Sequence, residues 1–139
     1  MQKVLIKASK NIYPNKLKIL KPLKVAIIGS GKMADEYSKV VESFGHKIKF
    51  LISKSHNKNS IVLSKKYKSL LYSKISDISP DNIDLIIICS KWSELYQDLS
   101  SCLKIKKPIL VEKSIILSRS RIKKISKHKS RIFFAYNRN

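Results

Sequence analysis

Short apolar runs alternate with amphipathic segments through most of the chain. Six such runs predict strands, at 24–28, 47–52, 70–72, 85–89, 109–111 and 131–136. The run Leu85–Cys89 is unbroken, which is typical of a parallel strand buried on both faces. Because the strands alternate with helical segments through short links, the pattern predicts a doubly wound parallel α/β sheet, a Rossmann fold of about six strands.

Between the strands, apolar residues recur with the spacing of an α-helix. The predicted helices cover about 32–44, 61–68 and 92–103, and a last one follows a Ser118 cap with Ile122 and Ile125 facing inward. Gly45 is predicted to end the first helix. Two helices carry long apolar stripes, formed by Met33, Ala34, Tyr37, Val40, Val41 and Phe44 and by Trp92, Leu95, Tyr96, Leu99, Cys102 and Leu103. We interpret both stripes as core, Trp92 included, in preference to reading Trp92 as a stacking platform.

A glycine turn follows the first strand directly. The segment Gly29-Ser30-Gly31-Lys32-Met33-Ala34 has the form G-x-G-x-x-A of a dinucleotide-binding turn. Gly29 would allow the sharp turn, Gly31 would let a pyrophosphate approach the backbone, and Ala34 would let the helix pack closely on the strand. The N–H groups at the helix start would face the phosphates. The alternative is a strand-to-helix turn that binds nothing.

The residues that follow the second strand bear on the choice of dinucleotide. NAD-binding domains place an Asp or Glu there to hold the ribose 2′-hydroxyl. Here the sequence reads Ser53-Lys54-Ser55, and no acidic residue lies between Glu42 and Asp77. A hydroxyl and an ammonium suit a 2′-phosphate better, so the sequence predicts NADP(H) in preference to NAD(H). The alternative is that Lys54 is one more surface lysine.

The formal charge of +21 is concentrated at the two ends of the chain. Residues 1–24 contain seven lysines and residues 113–139 contain nine Lys or Arg, with no acidic residue in either segment. The middle is only mildly basic, and only four of the basic residues are Arg, so we interpret the charge as a solvated surface. A basic nucleic-acid-binding protein on a Rossmann scaffold remains the alternative.

Residues 1–22 are predicted to be a basic extension, because their periodicity is weak and interrupted by Pro14 and Pro22, and residues 23–139 to be one domain. Cys89 and Cys102 lack metal-ligand spacing, and the three histidines share no spacing, so no metal site is predicted. No apolar stretch reaches the roughly 18 to 20 residues of a membrane span. With two reduced cysteines and no apparent signal sequence, we expect a cytoplasmic protein without membrane association.

Three motifs in order resemble the glucose–fructose oxidoreductase, inositol dehydrogenase and rhizopine-catabolism (Gfo/Idh/MocA) family. They are the glycine turn, Leu110-Val111-Glu112-Lys113 and Tyr136-Asn137-Arg138, and the similarity covers residues 24–139, the family's nucleotide domain. The resemblance implies a pyridine-nucleotide oxidoreductase that acts on a sugar, sugar nucleotide or cyclitol. It gives Lys113 the catalytic place between nicotinamide and substrate.

The same resemblance places Ser90, Glu112 and Asn137 near the cofactor, where the carboxylate of Glu112 could hold the catalytic lysine. With the glycine turn and the second strand's end, the predicted cofactor-binding residues are Gly29, Ser30, Gly31, Lys32, Met33, Ser53, Lys54, Ser90, Glu112 and Asn137. Glu112 and Lys113 could instead be a solvated pair. The chain departs from the family pattern at Ser114, where the family has proline, and after the fourth strand, where Ser90-Lys91-Trp92 and Leu95 replace Thr-Pro-Asn and a histidine.

The family's second domain carries substrate contacts and is not expected within these 139 residues. We therefore expect a truncated enzyme, or one that needs a separate catalytic domain for turnover, and a homodimer through the surface that such a domain would cover. The alternative to an enzyme is a nucleotide-binding sensor module without catalysis.

Overall fold

A computed structural model describes residues 21–112, 118–128 and 131–135. The described chain contains one parallel sheet of six strands in the order β3-β2-β1-β4-β5-β6. The strands are β1 (Lys24–Ile28), β2 (Lys47–Ile52), β3 (Leu70–Tyr72), β4 (Leu85–Ile88), β5 (Ile109–Val111) and β6 (Ile132–Phe134). The order reverses between β1 and β4, which confirms the doubly wound α/β fold.

Helices cover both faces of the sheet. They are α1 (Lys32–Ser43), α2 (Lys58–Lys66), α3 (Trp92–Leu103) and α4 (Arg119–Ser126), with single 3-10 turns at Ile75–Asp77 and Pro80–Asn82. The apolar core accordingly has two layers: α1 and α2 pack against one face, and α3 and α4 against the other. None of the helices in these described ranges is long and apolar enough to cross a membrane.

The strand predictions are confirmed with small differences at the ends. β4 ends at Ile88, so Cys89 belongs to the following loop and not to the strand. β6 covers Ile132–Phe134, and the amide of Ala135 donates to the Val111 carbonyl at 2.9 Å. Tyr136, at the predicted end of this strand, lies outside the described residues.

The predicted start of α2 is wrong by three residues. The helix begins at Lys58, because the Asn57 side chain accepts a hydrogen bond from the Ser60 amide at 2.9 Å and caps the first turn. It ends at Lys66, two residues before the predicted end. The first helix likewise ends at Ser43 and not at Phe44. The predicted cap of α4 is confirmed, since Ser118 accepts from the Arg121 amide. The predicted inward orientation is wrong for Ile122, which is 52% exposed, whereas Ile125 packs against the core.

The predicted core stripes are wider than the observed ones. On α1 only Ala34, Ser38 and Val41 are buried, while Val40 and Phe44 are exposed. The Ser38 hydroxyl donates to the Ala34 carbonyl at 2.6 Å, which lets a polar residue occupy the core face. Trp92 is 67% exposed, because it is the first residue of α3 and lies beyond the part of the helix that packs on the sheet.

Three helices are followed by a residue with positive φ. Gly45 (φ 78°) follows α1 as predicted, and the His46 amide there donates to the Val41 carbonyl at 3.1 Å. After α2 the same turn is made by Lys68 (φ 51°), with the Ser69 amide donating to Ser64 at 2.9 Å. Lys106 (φ 58°) occupies the left-handed region after α3. Lysine thus takes a conformation that usually favours glycine.

Candidate functional site

The turn after β1 holds three strands together at their carboxyl ends. The Gly29 amide donates to the Ile52 carbonyl of β2 at 2.9 Å. On its other side, a Cβ on Gly29 would lie 2.7 Å from the Cys89 carbonyl oxygen, just beyond β4, and the residue has φ +112°. A side chain at this position would therefore be strained and would clash with backbone.

Gly31 has a different environment. It is the N-cap of α1 with φ −84° and ψ −171°, which any residue can adopt. A Cβ here would meet nothing within 4 Å. The protein's own packing gives no reason for glycine at this position, whereas a ligand that must approach the backbone does.

The first turn of α1 is suited to an anion. No side chain of the described residues caps the helix at Gly31, and the first amides of an α-helix lack intrahelical partners. These amides and the helix dipole favour a phosphate. The turn therefore offers both room and charge complementarity to a pyrophosphate.

A cleft of about 880 Å³ opens at the carboxyl ends of β1, β2 and β4. Eight of the predicted cofactor-binding residues line it, namely Gly29, Ser30, Gly31, Lys32, Met33, Ser53, Lys54 and Ser90. The other walls are the loop after β3 and one face of α3. Five lysines and two carboxylates line the cleft, which gives it net positive charge and suits it to a phosphorylated ligand.

Lys54 does not extend freely into this cleft. Its Nζ lies 3.3 Å from Oδ1 of Asp98 and 3.7 Å from Oε2 of Glu94, both on α3. The other oxygen of Asp98, Oδ2, accepts a short hydrogen bond from the Ser90 hydroxyl. The Asp98 carboxylate thus joins Lys54, which follows β2, to Ser90, which follows β4.

Sequence reasoning missed Asp98. Its side chain is only 10% exposed, although the residue is charged. The available signal was its position, since Asp98 falls within the apolar stripe formed by Leu95, Leu99 and Cys102. A carboxylate on the buried face of a helix needs polar partners, and Lys54 and Ser90 provide them.

The Ser53 side of the cleft is an ordered loop. Ser53 is buried, and its hydroxyl donates to the Ser55 carbonyl at 2.7 Å. Because this bond is internal to the loop, the Ser53 hydroxyl lies at the cleft wall but already has an acceptor.

Glu112 lies at the end of β5 and does not line the cleft. Its amide donates to the Ile88 carbonyl at 3.0 Å. Burial, and next to it the charge of Glu112, raises the pKa of the Cys89 thiol to about 12. Burial and the charges of Cys89 and Glu112 also raise the pKa of Tyr37. The negative charge of Glu112 therefore acts on Cys89 and Tyr37, which pack against the core layer under α1.

The remaining predicted residues, the catalytic Lys113 with its neighbour Ser114, and Asn137 with Arg138, lie outside the described residues. Nothing in the described ranges groups three or more His, Cys, Asp or Glu side chains in a way that could hold a metal ion. The arrangement that is described is a glycine turn with an uncapped helix start beside a positively charged cleft. It fits a dinucleotide, since Gly31 and the uncapped helix start would accept the pyrophosphate.

Comparison with known proteins agrees with this geometry. The family model for oxidoreductases with an NAD-binding Rossmann fold, GFO_IDH_MocA, matches residues 23–132. A search of the curated proteins finds no match.

Solved structures share the fold at low sequence identity. GenD2 from gentamicin A biosynthesis, in complex with NAD, superposes with a TM-score of 0.76 at 12% identity, over 87% of this chain and 36% of its own. The scyllo-inositol dehydrogenase from Lactobacillus casei gives 0.70 at 19% identity, over 82% of this chain and 36% of its own. The WlbA dehydrogenase from Chromobacterium violaceum, in complex with NADH and UDP-GlcNAcA, gives a TM-score of 0.71 at 12% identity, over 82% of this chain and 35% of its own. This chain therefore spans about a third of the length of these proteins.

Proposed function

Since this chain belongs to the Gfo/Idh/MocA family of oxidoreductases, we propose that residues 23–139 form a nicotinamide-dinucleotide-binding domain that serves hydride transfer to or from a sugar, sugar nucleotide or cyclitol. The observation that carries the proposal is Gly31, which has an ordinary backbone conformation and open space around its Cα at an uncapped helix start. Such a glycine is explained by a phosphate that lies against it.

In this proposal the predicted site residues divide along the dinucleotide. Gly29, Ser30, Gly31, Lys32 and Met33 hold the pyrophosphate. Ser53 and Lys54 face the adenosine ribose, as residues that follow the second strand do in this fold. Ser90, which is bonded to Asp98 beside Lys54, lies close to the cofactor. Glu112 and Asn137 serve the nicotinamide half, and Lys113 exchanges a proton with the substrate hydroxyl.

The preferred cofactor in this proposal is NADP(H). The end of β2 presents an ammonium and no carboxylate of its own, which favours a 2′-phosphate over a 2′-hydroxyl. Lys54 is 48% exposed and lines the cleft, so it can reach a ligand there.

Calorimetric titration with NADPH and NADH tests binding and preference together. We expect both to bind and NADPH to bind more tightly. Gly31→Asp should abolish binding of both, because it places a negative charge and a side chain where the pyrophosphate would lie. Tighter binding of NADH would overturn the NADP(H) preference, and unchanged binding by Gly31→Asp would overturn the site.

The substrate class rests on the relatives. Among the structural neighbours, one is a scyllo-inositol dehydrogenase and another holds UDP-GlcNAcA beside NADH. We propose a polyhydroxylated substrate for this chain as well, with turnover that requires a second domain, a partner chain or a homodimer. An assay of NADP⁺ reduction with myo-inositol and UDP-sugars should show little turnover by this chain alone, even though the chain binds the dinucleotide. Rapid turnover by a monomer would contradict the requirement for a partner.

The cysteines support a cytoplasmic location. Cys89 and Cys102 are free thiols in different layers of the core, and Cys102 is fully buried. Unpaired thiols of this kind persist in a reducing compartment. Localisation of a fluorescent fusion tests this expectation.

A further inference from the structure

We propose that Asp98 selects between dinucleotides, by acting as an internal anion that competes with a ligand 2′-phosphate for Lys54. The inference rests on the proposed function, because it concerns the adenosine end of the same cleft. It assigns a role to a residue of α3 that no motif identifies.

The first step is the position of the Lys54 ammonium. It follows β2, where this fold places the ribose 2′ position, and it lines the cleft. It lies 3.3 Å from Oδ1 of Asp98, which itself lines the cleft. A 2′-phosphate that reached Lys54 would therefore come within a few ångströms of a carboxylate.

The second step is the state of the Asp98 side chain. Its Oδ1 contacts Lys54 and its Oδ2 accepts from the Ser90 hydroxyl, while only 10% of the side chain is exposed. Because α3 and Ser90 hold it in place, Asp98 cannot swing away when an anion enters. The carboxylate is therefore a fixed negative charge, whereas Lys54 is the mobile partner.

The third step is the comparison with Glu94. Its Oε2 lies 3.7 Å from the Lys54 ammonium, and its side chain is 44% exposed. Water screens Glu94 more effectively, and Glu94 can rotate towards solvent. The two carboxylates should thus oppose a 2′-phosphate with the same sign but with different strength.

These steps predict a selective effect. The Asp98 carboxylate repels a 2′-phosphate and occupies its ammonium, whereas an uncharged 2′-hydroxyl meets no such repulsion. Asp98 therefore reduces the preference for NADP(H) that Lys54 alone would create. The affinities for NADPH and NADH should thus differ less than the residues at the end of β2 predict.

The test is calorimetric titration of Asp98→Asn with NADPH and NADH, and with adenosine 2′,5′-bisphosphate and AMP as probes of the adenosine end. Asn keeps the shape and the acceptor for Ser90 and removes the charge. We expect Asp98→Asn to tighten NADPH and the bisphosphate about three- to tenfold, the effect of one nearby charge at a partly screened site, and to change NADH and AMP less than about twofold. The gain should shrink as salt is raised, which a merely structural role would not produce.

Two further variants complete the test. Glu36→Gln removes the same charge from an exposed position on α1, where Glu36 pairs with Lys39 outside the cleft, and should not change the NADPH to NADH ratio. Glu94→Gln should shift the ratio in the same direction as Asp98→Asn but by less, and it serves in place of Asp98→Asn if that variant does not fold.

The outcomes separate the two proposals. If the wild-type chain binds none of the four ligands, the proposed function fails. If it binds them and the Asp98 variant weakens NADPH, weakens NADH alone or changes both equally, the competition is overturned and Asp98 is a ribose ligand or a structural residue.

Discussion

Gly29 and Cys89 are in backbone contact, so close that a Cβ on the glycine would lie 2.7 Å from the cysteine carbonyl oxygen. Gly31, two residues further on, has nothing within 4 Å of the same position. The two glycines of the motif thus serve different purposes: Gly29 is required by the fold, and Gly31 leaves room for a ligand.

Gly29→Ala should destabilise the protein by about 2 kcal/mol or more, because a side chain at φ +112° is strained and meets rigid backbone. Gly31→Ala is the matched control and should change the free energy of unfolding by less than about 0.5 kcal/mol. Urea denaturation followed by circular dichroism measures both. Equal losses would show that the turn needs both glycines for folding.

The carboxylate of Asp35 ties α1 to α2. It accepts hydrogen bonds from the Lys66 ammonium and the Tyr67 hydroxyl, both at 2.6 Å, and pairs with Lys39 at 3.1 Å. The bond from Lys66, followed by that from Tyr67, holds the pKa of Asp35 well below its usual value. Tyr67→Phe should therefore lower the free energy of unfolding at pH 7 by about 1 kcal/mol.

The same network predicts a pH dependence. Because the folded pKa of Asp35 lies below the unfolded value, its contribution is complete above about pH 5 and is lost as the pH falls below the unfolded pKa of about 4 towards the folded one. The difference in unfolding free energy between wild type and Asp35→Asn should shrink over that range. The control is Glu36→Gln, which removes an exposed ion pair and should cost less than about 0.5 kcal/mol at pH 7. A difference that persists unchanged to pH 2 would contradict the interpretation.

Both thiols should be inert in the native protein. Burial, with a smaller effect of Glu112, raises the pKa of Cys89 to about 12, and burial raises that of Cys102 further. Because the thiolate is the reactive form, Ellman's reagent at pH 8 should label native protein about a hundredfold more slowly than protein in urea. The Cys102→Ala variant isolates Cys89, and rapid native labelling of that variant would show an accessible thiolate.

Trp92 and Leu99 lie on the same helix and should differ in their cost on truncation. Leu99→Ala opens a cavity at a fully buried position and should cost about 2 to 5 kcal/mol. Trp92→Ala removes a side chain that is 67% exposed and should cost less than about 1 kcal/mol. Thermal unfolding of the two variants measures the contrast. A larger loss of stability in Trp92→Ala than in Leu99→Ala would show that Trp92 packs in the core.

Local pattern predicted most of the sheet. The unbroken run at β4 and the run at β2 are both set by residues that are neighbours along the chain, and the observed strands match them closely. Gly29 and Gly31 could be assigned for the same reason, since a turn between strand and helix is a local structure.

The contact between Lys54 and Asp98 could not be predicted in this way. It depends on β2 and β4 flanking β1, which brings the loop after β2 to the side of α3. Trp92 shows a second limit, because helical spacing identifies a face of α3 but not how far along the helix the sheet extends. The start of α2 depends on the Asn57 cap, a local signal that the spacing of apolar residues does not contain.

The lysines at positive φ after α2 and α3 show which turns of this fold tolerate a side chain. The chain has only three glycines and is rich in lysine, and Lys68 makes the turn that Gly45 makes after α1. A left-handed lysine is tolerated at these two positions because Lys68 and Lys106 are both exposed, so the strain stays local. Exposed lysine can therefore replace glycine after a helix without loss of the fold, whereas a side chain at Gly29 would clash with backbone. Among distant relatives, we expect glycine more often at the position of Gly29 than at the positions that follow helices.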